Sequence, residues 1–474
     1  MIQPMEARVH RYEEFQSKRP RDKLMTATTD PSAPLNIAIV GQGIAGMSAA
    51  WLLSQGHRVT IYESEDRLGG HSHTVEAPGP DGALPVDMGF IVYNELAYPN
   101  LTALFKHLDV PTKASDMSFS VSLDNGGLEY GGANLKSWFA QPKNLLNARF
   151  WSMLRDLYRF YRRAPGHACA LDAGATSLGD YLDSEHYGDA FQDDHLLPQA
   201  AAIWSASVEA IRELPAASFI RFCQNHGLLK IIGRPIWRTV DGGSRAYVKR
   251  LTAAYADRVS LGRAVRRVRR GPDGVRITDI HGHTETFDQI VIAAHADQAL
   301  AMLEDPSAEE SRLLGAFRYT RNHAVLHSDA GLMPRRKSVW SSWNYLGKAA
   351  QTGAGRQLCV TYWMNRLQGL PDSTPLFMTL NPIRPPKSGS LIRSEVYEHP
   401  LFDAAAMAAQ KQLWSLQGAN RTWYCGAYFG SGFHEDGCQA GLAVAEQLGG
   451  GRRPWSVDNE SGRIHLAPQQ PVAA

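Results

Sequence analysis

The sequence predicts an α/β protein: a Rossmann-like dinucleotide-binding domain, assembled from separated segments, with an inserted α+β domain. Three observations predict it. An apolar strand, a glycine turn, a helix and a second strand follow one another between Ile37 and Glu63. From about residue 113 the texture changes to a hairpin and a run of helices. Much later a strand-like stretch at 421–430 leads into an acidic, small-residue helix start at 435–441.

Ile37-Ala38-Ile39-Val40 is a continuous apolar run of buried-strand type. Gly41-x-Gly43-x-x-Gly46 follows at once, and residues 47–53 continue as an apolar helix. In such a βαβ unit Gly41 allows the tight turn, Gly43 lets a pyrophosphate approach the backbone, and Gly46 lets helix and strand pack closely. The helix start, Ala45 included, offers free N–H groups and a positive dipole end to phosphate. Residues 59–62 form the next strand, and Glu63 stands about 20 residues past the first glycine, where a carboxylate accepts from ribose hydroxyls.

Bulk properties narrow the class. A chain of 474 residues accommodates two domains. A formal net charge of +2 gives no case for nucleic acid or an acidic partner. Cys169, Cys223, Cys359, Cys425 and Cys438 are scattered, with no C-x-x-C pair, so neither a metal site nor a redox dithiol is expected. An odd, sparse set fits a reducing compartment. No apolar run approaches the roughly 18 residues of a membrane span. Residues 1–35 lack the apolar core of a signal peptide and read as a disordered lead-in. A cytoplasmic protein is expected, with the inner face of the membrane as an alternative place of work.

Beyond Glu63 comes Arg67-x-Gly69-Gly70-His71-x-x-Thr74. This second glycine pair, with the first motif, resembles the FAD-binding start of the amine-oxidase, protoporphyrinogen-oxidase and phytoene-desaturase flavoproteins. The resemblance implies FAD, with Arg67, Gly69, Gly70 and His71 passing near the pyrophosphate and ring. An Arg can neutralise phosphate, and Gly lets backbone lie against a flat ring. It implies further that Met88-Gly89-Phe90 lies beside the isoalloxazine and that Val265 meets the adenine through its backbone. It also implies that the helix opened by Glu435-Asp436-Gly437-Cys438 points at the pyrimidine edge, where its dipole stabilises developing negative charge. From the residues alone, Asp87 is equally a turn or capping residue. The chain departs from the family pattern at Ala427, where an acid is often found; His434, Glu435 or Asp436 are candidates to replace it. No stretch resembles a cysteine attachment site, so noncovalent FAD is expected.

The remaining elements follow in order. Residues 101–108 read as a short helix. Residues 118–123 and 128–130 form a hairpin about Asn125-Gly126-Gly127. Helices are expected at 144–163, 178–182 and 190–204. The first of these carries Phe150, Trp151, Leu154, Leu157, Tyr158 and Tyr161 at helical spacing among many arginines. It can pack on a core with a solvated basic face, or lie on an anionic bilayer surface. After Gly242-Gly243 come a helix at 245–256 and β runs at 259–261, 264–268, 274–277 and 287–294. Arg263, Arg266, Arg267, Arg269 and Arg270 alternate with Val265 and Val268, which reads as an exposed strand face rather than a nucleic-acid patch. Strand-like, aromatic-rich stretches at 319–328, 339–345, 358–365 and 377–381 can wall an apolar pocket, and a helix is expected at 404–416. The nucleotide domain thus takes 36–112, 231–298 and 418–450, the substrate domain 113–230 and 299–417, and 451–474 is a tail.

Gly353-x-Gly355 and Gly430-x-Gly432 lack strand–helix context, so a second nucleotide domain for a nicotinamide is not expected. The expected chemistry is hydride removal to the flavin, then reoxidation by oxygen or another acceptor. No residue announces itself as catalytic: His71, His73 and His434 are candidates, each with a structural alternative. Residues 88–94 and 429–437 resemble most closely a bacterial subgroup that accompanies enzymes modifying membrane fatty acids, such as cyclopropane-fatty-acid synthases. That resemblance implies desaturation of a methyl-branched acyl chain, free or on a phospholipid. An amine oxidase releasing hydrogen peroxide and a flavin-binding assembly or sensor protein are the alternatives.

Overall fold

The computed structural model describes residues 33–171, 176–204, 207–230, 233–349 and 356–466. Residues 35–474 make one compact unit. The lead-in expected at 1–35 falls almost wholly outside the described residues, as do Gly353-x-Gly355 and the end of the tail.

Strand β1 (Asn36–Val40), helix α1 (Ile44–Leu53) and strand β2 (Arg58–Tyr62) form where the first motif places them. Every residue of α1 is buried, which is why this helix is apolar all round rather than striped. β1 lies at the centre of a five-stranded parallel sheet. Ile37 is in register with Val59 of β2 on one side and with Gln289 on the other. Val259–Ser260 extends the sheet beyond β2, and Thr422–Tyr424 extends it beyond Gln289–Ile292. Three distant segments therefore complete one sheet. The closing helix, His434–Gln447, packs across α1. The crossing is so close that a methyl group at Gly441 would lie 2.2 Å from the Ala45 carbonyl oxygen.

A second sheet of seven strands carries the other hydrophobic core. Across it Phe119, Trp343, Tyr362 and Met378 are cross-strand neighbours, in one row on one face. Helices Ala148–Ala170, Leu197–Trp204 and Ala216–Asn225 contribute to the same core. The first core reaches past the expected segment boundaries, since Ala299, Leu313, Phe317, Phe402 and Leu413 pack with the nucleotide domain.

Several elements differ from expectation for identifiable reasons. The longest strand among the described residues, Leu391–Leu401, is not expected from the sequence because charged and polar residues interrupt its apolar ones without strict alternation and it contains Pro400. It is an edge strand, where proline is tolerated. The basic helix starts at Ala148, not 144, because the Asn147 side chain accepts from the Arg149 and Phe150 N–H groups. It runs on through Pro165 to Ala170, with Ala164 and Ala168 buried on its core face. The expected 190–204 helix contains a π-helical turn at Gln192–Leu196. Arg270 is not on an exposed face: it is buried, 3.0 Å from Glu310 and 3.1 Å from Asp305.

Glu435 is bonded into the fold. Its carboxylate accepts from the N–H groups of Asn100 (3.0 Å) and Leu101 (2.9 Å) and from the Asn100 and Gln439 amides (2.9 Å each). It thus caps the helix Pro99–His107, which has no side-chain cap of its own. Glu435→Ala strands several buried donors and is expected to cost about 3 kcal/mol in urea unfolding; a loss within experimental error would contradict the capping role.

Candidate active site

One cavity of about 960 Å³ runs between the two sheets. At one end it is lined by Gly41, Gln42, Gly43, Ala45, Glu63, Arg67, Val265 and Arg266. At the other it is lined by Phe119, Trp204, Phe222, Trp237, Trp343 and Tyr362, with Phe433 at the start of the closing helix.

The polar end is organised by Glu63 and Gln42. Both are buried. Glu63 Oε2 accepts from the Gln42 N–H at 2.8 Å, and Oε1 accepts from the Glu65 N–H at 3.0 Å. The Gln42 carbonyl accepts from the Gly69 N–H at 2.9 Å, and its side chain accepts from Tyr255 OH at 3.0 Å. The two glycine motifs are thereby bonded to each other. Arg67 donates to the Gly70 carbonyl at 2.8 Å and lies 3.6 Å from Glu65, so it also shapes the loop it was expected to leave for phosphate. The helix start at Gly43 has no side-chain cap, and a methyl group there would meet nothing within 4 Å. That N-terminus opens on the cavity.

The middle is built by residues 71–73 beside 88–90. The His73 carbonyl accepts from Met88 N–H at 2.8 Å, and the His71 carbonyl from Phe90 N–H at 2.7 Å. The two segments are so close that a methyl group at Gly89 would lie 2.2 Å from the His71 oxygen. Met88, Gly89, Phe90, Gly70 and His71 all line the cavity. Phe90 stacks on His434, with centroids 3.7 Å apart and planes 15° off parallel. His434 Nε2 is 2.9 Å from Ser72 Oγ. Burial lowers the His434 pKa to about 3. His71 is lowered well below 6.5, by burial and then by its neighbours His399, His295, His434 and Arg67. Its Nε2 finds no partner among the described residues. His73 turns to Tyr397 OH, at 3.0 Å, and does not line the cavity. Asp87 takes the capping role: it accepts from Ser244 N–H and Oγ, Thr74 Oγ1 and the Gln368 amide.

The apolar end holds a residue that no sequence pattern marks. His226 lines the cavity, 3.9 Å from the Phe222 ring and 5.6 Å from that of Phe433. Its Nδ1 is 2.9 Å from the Phe222 carbonyl oxygen, which can only accept, so Nδ1 carries the proton and Nε2 is bare. Nε2 has no partner among the described residues. Burial, helped by Arg463, lowers the pKa to about 3. Trp343 likewise presents a buried, unpartnered Nε1. Trp343 and Tyr362 stand edge to face at 4.8 Å. Of the aromatics in the same stretches, Trp363 and Phe377 alternate to the other side of their strands and pack on Trp340 instead.

Glu435, Asp436, Gly437 and Cys438, expected to lie against the flavin, are not among the residues that line this cavity. Asp436 accepts from Phe433 N–H at 2.8 Å and lies 3.3 Å from Arg463. Cys438 is buried against Ser48, and Gly437 packs on Ile44. From this region it is Gly426–Tyr428 and Ser431–His434 that reach the cavity, Ala427 among them. Gly46 and Gly69 shape their turns behind the lining: a methyl group at Gly46 would lie 2.0 Å from the Gly41 oxygen.

A parallel sheet with an open helix N-terminus, a ribose-height carboxylate and a cavity that continues into an aromatic lobe defines a flavin-dependent oxidoreductase. The family model described as flavin containing amine oxidoreductase matches residues 44–369, and the chain belongs to that family. It is similar to AofH of Mycobacterium tuberculosis, whose name places it among the flavin-containing monoamine oxidases. The two are 26% identical over 304 residues, 62% of this chain and 64% of AofH, so the match spans less than two thirds of that protein. Among solved structures, a CLA-producing fatty acid isomerase from P. acnes superposes with a TM-score of 0.62 at 15% identity, covering 87% of this chain and 98% of its own. Cyclohexylamine oxidase from Brevibacterium oxydans gives 0.60 at 16%, covering 88% and 100%. Putrescine oxidase gives 0.62 at 13%, covering 88% and 99%. These likenesses establish the fold.

FAD is the cofactor of the family, and the residues fit it. The uncapped N–H groups at the start of α1 would take the pyrophosphate, with Arg67 and Arg266 as cations, and Glu63 the ribose hydroxyls. None of the described cysteines lines the cavity, in keeping with noncovalent FAD. When bound, FAD supplies a hydride acceptor.

Two outcomes test the site. Glu63→Ala removes a charged acceptor worth about 1.5–3 kcal/mol and should weaken FAD binding tenfold or more in fluorescence titration. Because the same oxygens hold Gln42 and Glu65, the apoprotein should melt earlier as well; unchanged affinity would contradict the role. The second outcome concerns pH. In the unfolded chain His226 and His434 take up protons as pH falls through 6.5, but in the folded chain only near 3. Stability should therefore fall as pH drops across that window, by about 1.4 kcal/mol per unit for each ring, and the fall should be shallower in His434→Gln.

Proposed function

We propose that this oxidoreductase desaturates an apolar chain, most simply a methyl-branched fatty acyl group. The carrying observation is the row of apolar and aromatic side chains Phe119, Ile203, Trp204, Phe222, Trp343, Tyr362, Met378 and Leu380 in the wall of the cavity, whose described charged lining residues, among them Glu63, Arg67, Arg321, Glu395 and Glu398, belong to other segments. A long hydrocarbon gains about 25 cal/mol for each Å² buried there. The fold also serves an enzyme named as a fatty acid isomerase. Forming a double bond removes a hydride and a proton. Bound FAD would supply the hydride acceptor; the proton would pass to water, and the bare Nε2 of His226, held neutral by burial, is the acceptor on this chain placed to orient such a water.

The amine reading keeps one specific support: the faces of Trp204, Trp343, Tyr362 and Phe433 could hold an ammonium group, and amine oxidases are among the similar folds. An anaerobic mixture distinguishes the two. Methyl-branched acyl lipids should bleach the flavin absorbance and yield a new double bond, while putrescine and cyclohexylamine should not; bleaching by amines alone would overturn the acyl reading. His226→Leu, which removes the acceptor, should slow the reduction by about tenfold while leaving the spectrum and retention of FAD unchanged.

A further inference from the structure

The basic helix Ala148–Ala170 does not present the face that its sequence suggests. Phe150, Met153, Leu157 and Phe160 are turned into the core. What it leaves outside is different and continues into the turns before it. Leu146 is 93% exposed, Leu135 77%, Tyr158 54%, Leu145 52% and Trp151 48%. These five form one surface. Trp151 Nε1 donates to the Leu145 carbonyl at 2.9 Å. The Trp151 ring lies 5.7 Å from that of Phe139, just past the short helix Leu135–Trp138. Trp151, Arg155, Tyr158 and Arg162 follow at helical spacing on one side, and Arg162 lies over the Tyr158 ring at 5.8 Å.

The charges around this surface are mostly cationic. Lys136, Lys143, Arg155, Arg162 and Arg163 are exposed, while Arg149 at its edge is paired with Asp194 at 2.7 Å and lies 3.9 Å from Asp193. The only acid between residues 135 and 163 is Asp156, which is buried and paired with Arg155 and Arg159. A soluble surface does not ordinarily group leucines at such exposure. Leucines at the tip, Trp and Tyr behind them and a ring of cations match the depth profile of a bilayer: acyl chains, interface, phosphates.

We propose that the surface made by Leu135, Leu145, Leu146, Trp151 and Tyr158 docks on an anionic phospholipid bilayer. Leu145 and Leu146 insert at the acyl boundary, and the surrounding cations meet lipid phosphates. Each cation near an anionic leaflet strengthens binding roughly fivefold, and each inserted leucine by about tenfold. The proposal is independent of the substrate: an amine oxidase with this surface would dock in the same way.

Co-sedimentation of the FAD-loaded full chain with vesicles tests it. The protein should pellet with phosphatidylglycerol–phosphatidylcholine vesicles, less at high salt, and weakly with phosphatidylcholine alone. Leu145→Ser/Leu146→Ser should weaken pelleting at least tenfold with FAD absorbance and melting temperature unchanged, since both side chains are outside the core. Lys136→Glu/Lys143→Glu/Arg162→Glu should remove the salt-sensitive part, and it serves as the independent variant if the leucine pair fails to fold. A wild-type protein that stays in the supernatant would overturn the proposal. So would equal pelleting with both vesicle types, or a leucine variant whose only change in light scattering is from dimer to monomer.

Discussion

Gln42 is the residue through which the cofactor end of this molecule is tied together. Its N–H is held by Glu63, its carbonyl holds Gly69, and its side chain is held by Tyr255. All three partners come from different stretches of chain. The first glycine turn, the acidic end of β2 and the second glycine loop are thus a single hydrogen-bonded object, buried and without slack. A buried polar residue of this kind is stable only when every group is matched. The open space in front of Gly43 exists because the knot behind it fixes where the turn can lie.

The closing helix is the second half of that constraint. It crosses α1 at glycine distance, and its acidic residues spend their charge on the neighbouring structure rather than in the cavity. Glu435 caps the helix Pro99–His107 and Asp436 secures its own first turn and Arg463. The result places Phe433 and His434 at the junction of the polar and apolar lobes. Burial keeps the histidines at this junction neutral. Such rings can accept or donate hydrogen bonds without bringing a charge into a site where charge is costly.

The nucleotide half was legible because its chemistry demands particular residues at fixed spacing. Gly41, Gly43, Gly46 and Glu63 have few substitutes, and the flanking strands are apolar on both faces. The family resemblance in Arg67-x-Gly69-Gly70 then separated FAD from a nicotinamide. The apolar lobe was legible only as composition. Tyr362 faces the cavity while its neighbour Trp363 does not, and only the phase of the strand decides between them. His226 was invisible for a related reason: a lone histidine after a helix carries no pattern, and its tautomer depends on a local carbonyl. The strand Leu391–Leu401 was hidden by its polar, proline-containing edge character, and Glu435 by the fact that its partners are more than 300 residues away.

The central claim is that one cavity holds FAD in its polar end and the substrate chain in its apolar end. A crystal structure of the FAD-loaded protein with a methyl-branched acyl ligand tests this most directly. The account predicts the ribose at Glu63, the pyrophosphate at the start of α1 and the hydrocarbon along the Trp343–Tyr362 row, near His226. An acyl chain bound outside that row, or a nucleotide that leaves Glu63 and the Gly43 turn untouched, would contradict it.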